Sequence, residues 1–150
     1  MLFMQLSIIT PEKIVFSEDV YQVTIPTMDG EITVLPNHIP LVGLLKAGEL
    51  IIKKGSEIIP LAVSGGMLQV RHDGVTILAD TAERVEEIIE ERAEEARKAA
   101  EKLMEEKRFD AEEYATIAAK MERELARIKV ARKWKHKGHG PAGQQFTSDR

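Results

Sequence analysis

"TAERVEEIIEERAEEARKAAEKLMEEKR", residues Thr81 to Arg108, has no proline or glycine and is dense in Ala, Glu, Lys and Arg. These are strong helix formers. Its apolar residues, Val85, Ile88, Ile89, Ala93, Ala96, Ala100 and Leu103, recur at helical spacing. The pattern predicts a long helix opening at Asp80 or Thr81, either of which can cap it. "RFD" interrupts the pattern, and Asp110 with Glu113 three residues on resembles a capping box. A second helix follows, with Tyr114, Ile117, Ala118, Met121, Leu125 and Ile128 as its stripe. Two helices with a short connection predict an antiparallel hairpin. The closing "HKGHGPAGQQFTSDR" turns to Gly, Pro and polar residues, so residues 136–150 are expected to be disordered.

Upstream of residue 80 the period is two. Leu2, Met4, Leu6 and Ile8 share one face of "LFMQLSII", and Tyr21, Val23 and Ile25 share one face of "VYQVTI". "ELIIKK", "EIIPLAVS", "MLQVRH" and "VTILAD" are further strand-like runs. Asp29-Gly30, Gly48, Gly55, Gly65-Gly66 and Asp73-Gly74 punctuate them as turns. Pro60 marks an edge or a bulge. The fold class is therefore α+β: an antiparallel β-sandwich over residues 1–80, then a helical hairpin over 81–135. Large aliphatics fill the sandwich, whereas the hairpin seam is mostly alanine. A buried methylene is worth ~0.8 kcal/mol, so the hairpin is the more weakly held part and suits a switch.

Composition removes several function classes. The chain has no cysteine, which excludes disulfides, thiolate metal sites and cysteine nucleophiles and fits a reducing compartment. No apolar run is long enough to span a bilayer, and "MLFMQLSIITPEK" reads as a first strand, not a signal peptide. The net charge of −4 is no nucleic-acid signature, and almost no aromatic residue is placed to stack bases. Charge is sparse before residue 80 and dense after it, with acid first and base last.

Catalytic motifs are missing. There is no nucleophile elbow, no phosphate-binding glycine loop and no histidine pair at metal spacing. His72, His136 and His139 are scattered, and no metal site is expected. His38, in "LPNHIP", reads as a structural or contact histidine in a stiff loop. Glu83, Glu86, Glu87, Glu90, Glu91, Glu94 and Glu95 read as a solvated helix face with weak i,i+4 pairs, not an acid/base supply. The sharper feature is the basic end of the second helix. Arg123, Arg127, Lys129, Arg132, Lys133 and Lys135 exceed what the helix dipole requires, which points to an acidic protein segment or a phosphate ligand.

Four stretches in order, "LSIITPEKIVFSEDVYQVTIPTMDGEI", "VLPNHIPLV", "LKAGELII" and "LAVSGGMLQVRHDGVTILADTAE", followed by an alanine-rich hairpin, resemble the ε subunit of bacterial-type F-type ATP synthases. The mitochondrial counterpart is called δ. The resemblance runs over about residues 2–135 and implies a β-sandwich followed by two helices, a non-catalytic rotor subunit. It implies docking on the γ subunit and the c ring, with Glu31 facing the c-ring loops and His38 in the same docking region. It also implies a hairpin that moves between compact and extended forms and restrains ATP hydrolysis at the α/β catalytic head. Arg123, Arg127, Arg132 and Lys133 are the candidate contacts to the β subunit. Placement would be peripheral, through the complex, on the cytoplasmic face of a bacterial membrane.

Some relatives bind regulatory ATP through a helix-one motif. Arg92 and Ala93 match it, and Arg123 and Arg127 fall near the helix-two arginines. Ile89 replaces the motif aspartate, so ATP binding is expected to be weak or absent. Thr33 stands where most relatives carry a second glycine after Gly30-Glu31. An alternative reading is a free-standing ATP-sensing interaction protein, its hairpin folded around nucleotide.

Overall fold

A computed structural model describes residues 2–106 and 110–135. The expected disordered tail, residues 136–150, and Arg108-Phe109 between the helices lie outside the described residues. Eight strands come first: β1 (Met4–Ile9), β2 (Ile14–Val20), β3 (Gln22–Thr27), β4 (Gly30–Val34), β5 (Leu41–Leu44), β6 (Gly48–Lys54), β7 (Glu57–Arg71) and β8 (Gly74–Arg84). A short 3-10 turn (Val85–Glu87) leads to α1 (Glu90–Glu106) and α2 (Ala111–Lys135).

The strands form one continuous sheet in the order β2-β1-β8-β7-β6-β3-β4, with β5 also paired to β7. It folds over on itself because β7 and β8 each belong to both layers. Residues 57–63 of β7 pair with β6, and residues 67–70 pair with β5. One layer is thus β4-β3-β6 with the first half of β7 and the end of β8. The other is β5, the second half of β7, the start of β8, β1 and β2. All neighbours are antiparallel except β1 and β8, which run parallel with Gln5 opposite Gly74.

The fold-over happens at Gly65-Gly66, which do not form the expected turn but bend a single strand. Both have positive φ (62° and 105°). A Cβ on Gly66 would lie 1.9 Å from the Leu78 carbonyl oxygen, and one on Gly65 would lie 2.1 Å from Asp80 Oδ2. Only glycine fits. The inward parity of β7 changes across the bend. Leu61 and Val63 point into the core before it, and Leu68 and Val70 after it. β8 changes parity in step, from Ile77 and Ala79 to Ala82.

The core joins both layers, with Leu6, Ile8, Leu68 and Ile77 from one meeting Ile25, Leu50, Ile52 and Leu61 from the other, all fully buried. Each such side chain contributes ~1.5–3 kcal/mol on leaving water. The two-fold alternation holds for Met4, Leu6 and Ile8, whereas Leu2 lies before the strand and is exposed. Tyr21 is also exposed, because the chain turns a corner there and Val20, not Tyr21, enters the core. Pro60 sits opposite Ile51 of β6, in a part of β7 that β8 does not reach, so it occupies an edge. Thr33 is an ordinary strand residue, its hydroxyl 3.0 Å from that of Thr24.

The helix does not begin at Asp80 or Thr81. Thr81 to Arg84 are the end of β8, paired with Ser64 to Leu61. Tertiary pairing overrides helix propensity here, and Ala82 reaches the core by strand alternation. Val85 and Ile88 are buried, but from the connecting segment. Among the described side chains of α1 only Ala93 and Ala100 are buried, so its seam is as thin as expected. α2 opens with the anticipated capping box: Glu113 N–H donates to Asp110 Oδ1 at 2.8 Å, and Asp110 N–H donates to Glu113 Oε2 at 3.3 Å. Tyr114, at the start of the expected stripe, is exposed. Burial concentrates at the other end, in Ala126, Ile128, Val130, Ala131 and Trp134.

Candidate functional site

The hairpin lies on the outer face of the β6 layer, and three adjacent strands prepare its seat. Glu49 of β6 stands opposite Ala62 of β7, and Ala62 stands opposite Glu83 of β8. The row reads acid, small, acid. Two strand spacings separate its ends, about 9.6 Å. α2 supplies Arg127 and Trp134, seven residues apart in the chain, or about 10.5 Å along a helix. The spacings match. Arg127 Nε donates to Glu83 Oε2 at 2.7 Å. Trp134 Nε1 and Lys133 Nζ both donate to the Glu49 carboxylate at 2.8 Å. Between them Val130 and Ala131 pack with Ala62, Val85 and Ile88 in a small cluster separate from the main core.

The four basic residues singled out on α2 are all paired in this state. Arg132 reaches Glu90 at 2.7 Å and Glu94 at 3.6 Å, which ties the end of α2 to the start of α1 and fixes the helices as antiparallel. Lys133 holds Glu49. Arg127 holds Glu83 and also Glu124, at 2.7 Å each, and Arg123 lies 3.7 Å from Glu124. Burial opposes the charge on Arg127, but its hydrogen bonds to Glu124 and Glu83 prevail and raise its pKa above the usual guanidinium value. The acidic run after residue 80 is therefore not only a solvated face: Glu83, Glu90 and Glu94 bind α2.

Glu124 is 4% exposed and was hidden from sequence reasoning among the charges of α2. Its signal was positional. Met121, Glu124, Leu125 and Ile128 follow the i, i+3, i+4, i+7 spacing of a buried stripe.

The residues matching the nucleotide motif are only partly assembled. Arg123 and Arg127 lie together beside Glu124, but Arg92 is exposed on α1 and Ala93 is buried. Ile89 precedes α1 and is half exposed. Among the described residues no group of His, Asp or Glu side chains is arranged to hold a metal ion.

Glu31 and His38 lie at opposite ends of β4. Glu31 is exposed beside the two-residue Met28-Asp29 turn, opposite Pro26 of β3. His38 is half-buried in the loop toward β5, next to Asn37 at φ 65°, and its Nδ1–H donates to the Ile39 carbonyl at 2.6 Å. The ring is thereby held by its own loop.

A third feature is an apolar row on the outer face of the other layer. Leu44, Met67, Leu78, Ile9 and Ile14 stand side by side across β5, β7, β8, β1 and β2. Leu44, Ile14, Met67 and Leu78 are 63%, 66%, 41% and 45% exposed. Met28, whose N–H donates to the Leu44 carbonyl at 3.0 Å, extends the row at the β5 end. The neighbouring outer row is polar from β7 to β2, with Gln69, Thr76, Ser7 and Ser17, and apolar only at its β5 end, where Val42 is exposed. A contiguous exposed apolar strip with a polar margin marks a protein-binding surface. The sequence carried its signal as doublets that break the two-fold period: Ile8-Ile9, Leu44-Leu45, Met67-Leu68 and Ile77-Leu78. Each doublet puts one apolar side chain on each face of its strand.

Residues 3–85 match the family model described as the ATP synthase, Delta/Epsilon chain, beta-sandwich domain. An ATP synthase epsilon chain of Dehalococcoides mccartyi (strain CBDB1) is 48% identical over 130 residues, 87% of this chain and 93% of that one. One from Chloroflexus aggregans is 44% identical over 84% of this chain and 90% of its own. Among solved structures, a chain of the Euglena gracilis mitochondrial ATP synthase (OSCP/F1/c-ring) superposes with a TM-score of 0.68 at 25% identity, over 80% of this chain and 76% of that one. A chain of the Tetrahymena thermophila mitochondrial ATP synthase central stalk and c-ring shares the fold, with a TM-score of 0.60 at 16% identity over 87% and 94%. With its sandwich matched end to end and its relatives aligned through the hairpin, the chain belongs to the ATP synthase epsilon-chain family.

Proposed function

We infer that this chain is a non-catalytic rotor subunit of an F-type ATP synthase, seated in the central stalk between the γ subunit and the c ring. One observation carries the reading: with the hairpin docked on one layer, the apolar row of the other layer is left uncovered. That row is the seat for γ. Glu31, at the exposed turn end of β4, suits the polar loops of the c ring, and the loop holding His38, at the other end of β4, shapes a separate part of the docking surface. Attachment to the membrane is through the complex, on the cytoplasmic face of a bacterial cell. No helix among the described residues is long and apolar enough to cross a membrane.

The hairpin restrains ATP hydrolysis when it leaves its seat. Arg123, Arg127, Arg132 and Lys133 are neutralised internally while docked. Release from the sandwich would free Lys133 from Glu49 and Arg127 from Glu83; parting α2 from α1 would then free Arg132 from Glu90 and Glu94, and these cations would meet acidic segments of the β subunit. Salt weakens such contacts. Regulatory ATP binds weakly or not at all: Ile89 offers no acceptor, Arg92 is exposed, and Glu83 and Glu124 already hold Arg127. A phosphate would have to displace both carboxylates.

Truncation tests this division of labour. The cut belongs after Ile89, because a cut at Asp80 removes the part of β8 that pairs with Leu61 to Ser64. The shortened chain should fold, bind γ and raise the ATPase rate of the assembled complex. Failure to assemble would defeat the rotor reading. Calorimetry giving micromolar ATP affinity would instead favour the ATP-sensing alternative.

A further inference from the structure

We propose that Glu49 is the latch of the hairpin, a single carboxylate whose two bonds to the end of α2 set how often the hairpin leaves the sandwich. The proposal rests on the reading above that the hairpin moves.

The seat has two polar ends and they differ in kind. At the Glu83 end, Arg127 keeps a second partner, Glu124, on its own helix one turn away. Releasing Glu83 leaves Arg127 still paired. At the Glu49 end, the carboxylate that takes Trp134 Nε1 also takes Lys133 Nζ. Both donors come from α2, and the acceptor belongs to β6. Breaking this end separates both donors from the same acceptor at once. The Glu49 side chain is 20% exposed, which shields the contact from water without closing it off.

Packing points to the same place. The docking cluster consists of Ala62, Val85, Ile88, Val130, Ala131 and Trp134, with Ile51 at its border. The indole is its largest side chain, and Glu49 sets the indole's orientation. Lys133 Nζ lies 5.3 Å from the ring centroid, so cation, ring and carboxylate form one unit. Lys135 adds a third bond, to the Ile88 carbonyl in the segment that connects β8 to α1; unlike Glu49, that acceptor takes a single donor from α2.

Trp134 is the chain's only tryptophan, so the fluorescence comes from this end of the seat. The full chain is compared with E49A, W134F and the double variant. Acrylamide quenching of Trp134 is read in the two chains that retain it, and amide hydrogen exchange over Ala126 to Lys135 in all four. Hydrogen bonds to a charged group are each worth enough to shift an equilibrium about tenfold. E49A should therefore expose Trp134 to quencher and speed exchange in this segment about tenfold or more, with exchange in the β1–β8 sheet unchanged. In the E49A background W134F should add less than it does alone, because the shared bond is already gone. Quenching and exchange in E49A that match the parent chain would overturn the latch. Fully additive effects would also overturn it. The ATPase rate of the reassembled complex separates this from the inhibitory reading. A loosened hairpin with unaltered hydrolysis would leave the latch standing and remove the inhibition.

Discussion

Arg127 and Glu83 are 44 residues apart in the chain and 2.7 Å apart in space, and their contact ties the last helix to the last strand. The same guanidinium covers Glu124, a buried carboxylate whose other cationic neighbour, Arg123, is 3.7 Å away. Arg127→Met should therefore cost more than a surface ion pair does. It strands Glu124, and a buried carboxylate that loses its partner is destabilising by ~3–5 kcal/mol when nothing replaces it. With Arg123 still near, we expect about 2 kcal/mol, measured by urea denaturation as loss of helical signal before sheet signal. Arg127→Met with Glu124→Leu should recover most of the loss.

Gly66→Ala should damage the sandwich itself. The added methyl meets backbone, the Leu78 carbonyl, at a distance no side-chain rotation relieves. A loss above about 3 kcal/mol is expected, read as a lower midpoint in chemical denaturation. Gly55→Ala, at positive φ but with open space around it, should cost only about 1 kcal/mol.

Much of this was readable in the chain. The period of two found the strands and the core faces, and the Asp110–Glu113 spacing found the start of α2. What failed has a common cause. Thr81 to Arg84 have helix-forming composition but pair with β7, and only the partner strand determines that. Gly65-Gly66 resembled a hairpin turn, because a bend between layers and a turn between strands call for the same residue. The basic stripe was legible. Its pairing with Glu49, Glu83 and Glu90 was not, since those contacts join residues 42 to 84 apart. The nucleotide motif illustrates the same limit: Arg92 matches by position yet is exposed, away from the Arg127–Glu83 contact.

Met67→Glu tests the apolar row. Met67 is exposed at the centre of that row, so the isolated chain should change stability by less than about 0.5 kcal/mol. A charge placed among Leu44 and Leu78 should nonetheless abolish co-purification with γ. Gln69→Glu, on the polar row beside it, should leave co-purification intact. Equal loss from both variants would mean that the row is not the contact.

Acid should loosen the hairpin before the sandwich. The hydrogen bond from Arg97 holds the Glu94 carboxyl below its ordinary pKa, against a smaller opposing effect of burial, and Arg132 adds to the lowering from α2. A carboxylate with a depressed folded-state pKa gives its stabilisation in full above the unfolded value, about 4.3. That stabilisation is lost as pH falls through the folded-state value. Helical circular dichroism should therefore decline as pH drops below about 4.3, with sheet amide exchange unaffected at first. Glu94→Gln should remove part of this dependence.

The bend at Gly65-Gly66 has a mechanical consequence. Ala62, under the hairpin, and Met67, in the apolar row, are five residues apart on one strand, on either side of the Gly65-Gly66 bend. Whatever grips the molecule on one side and whatever rests on the other are joined by a single hydrogen-bonded girder. Torque delivered to one face arrives at the other through that girder, without crossing a hinge.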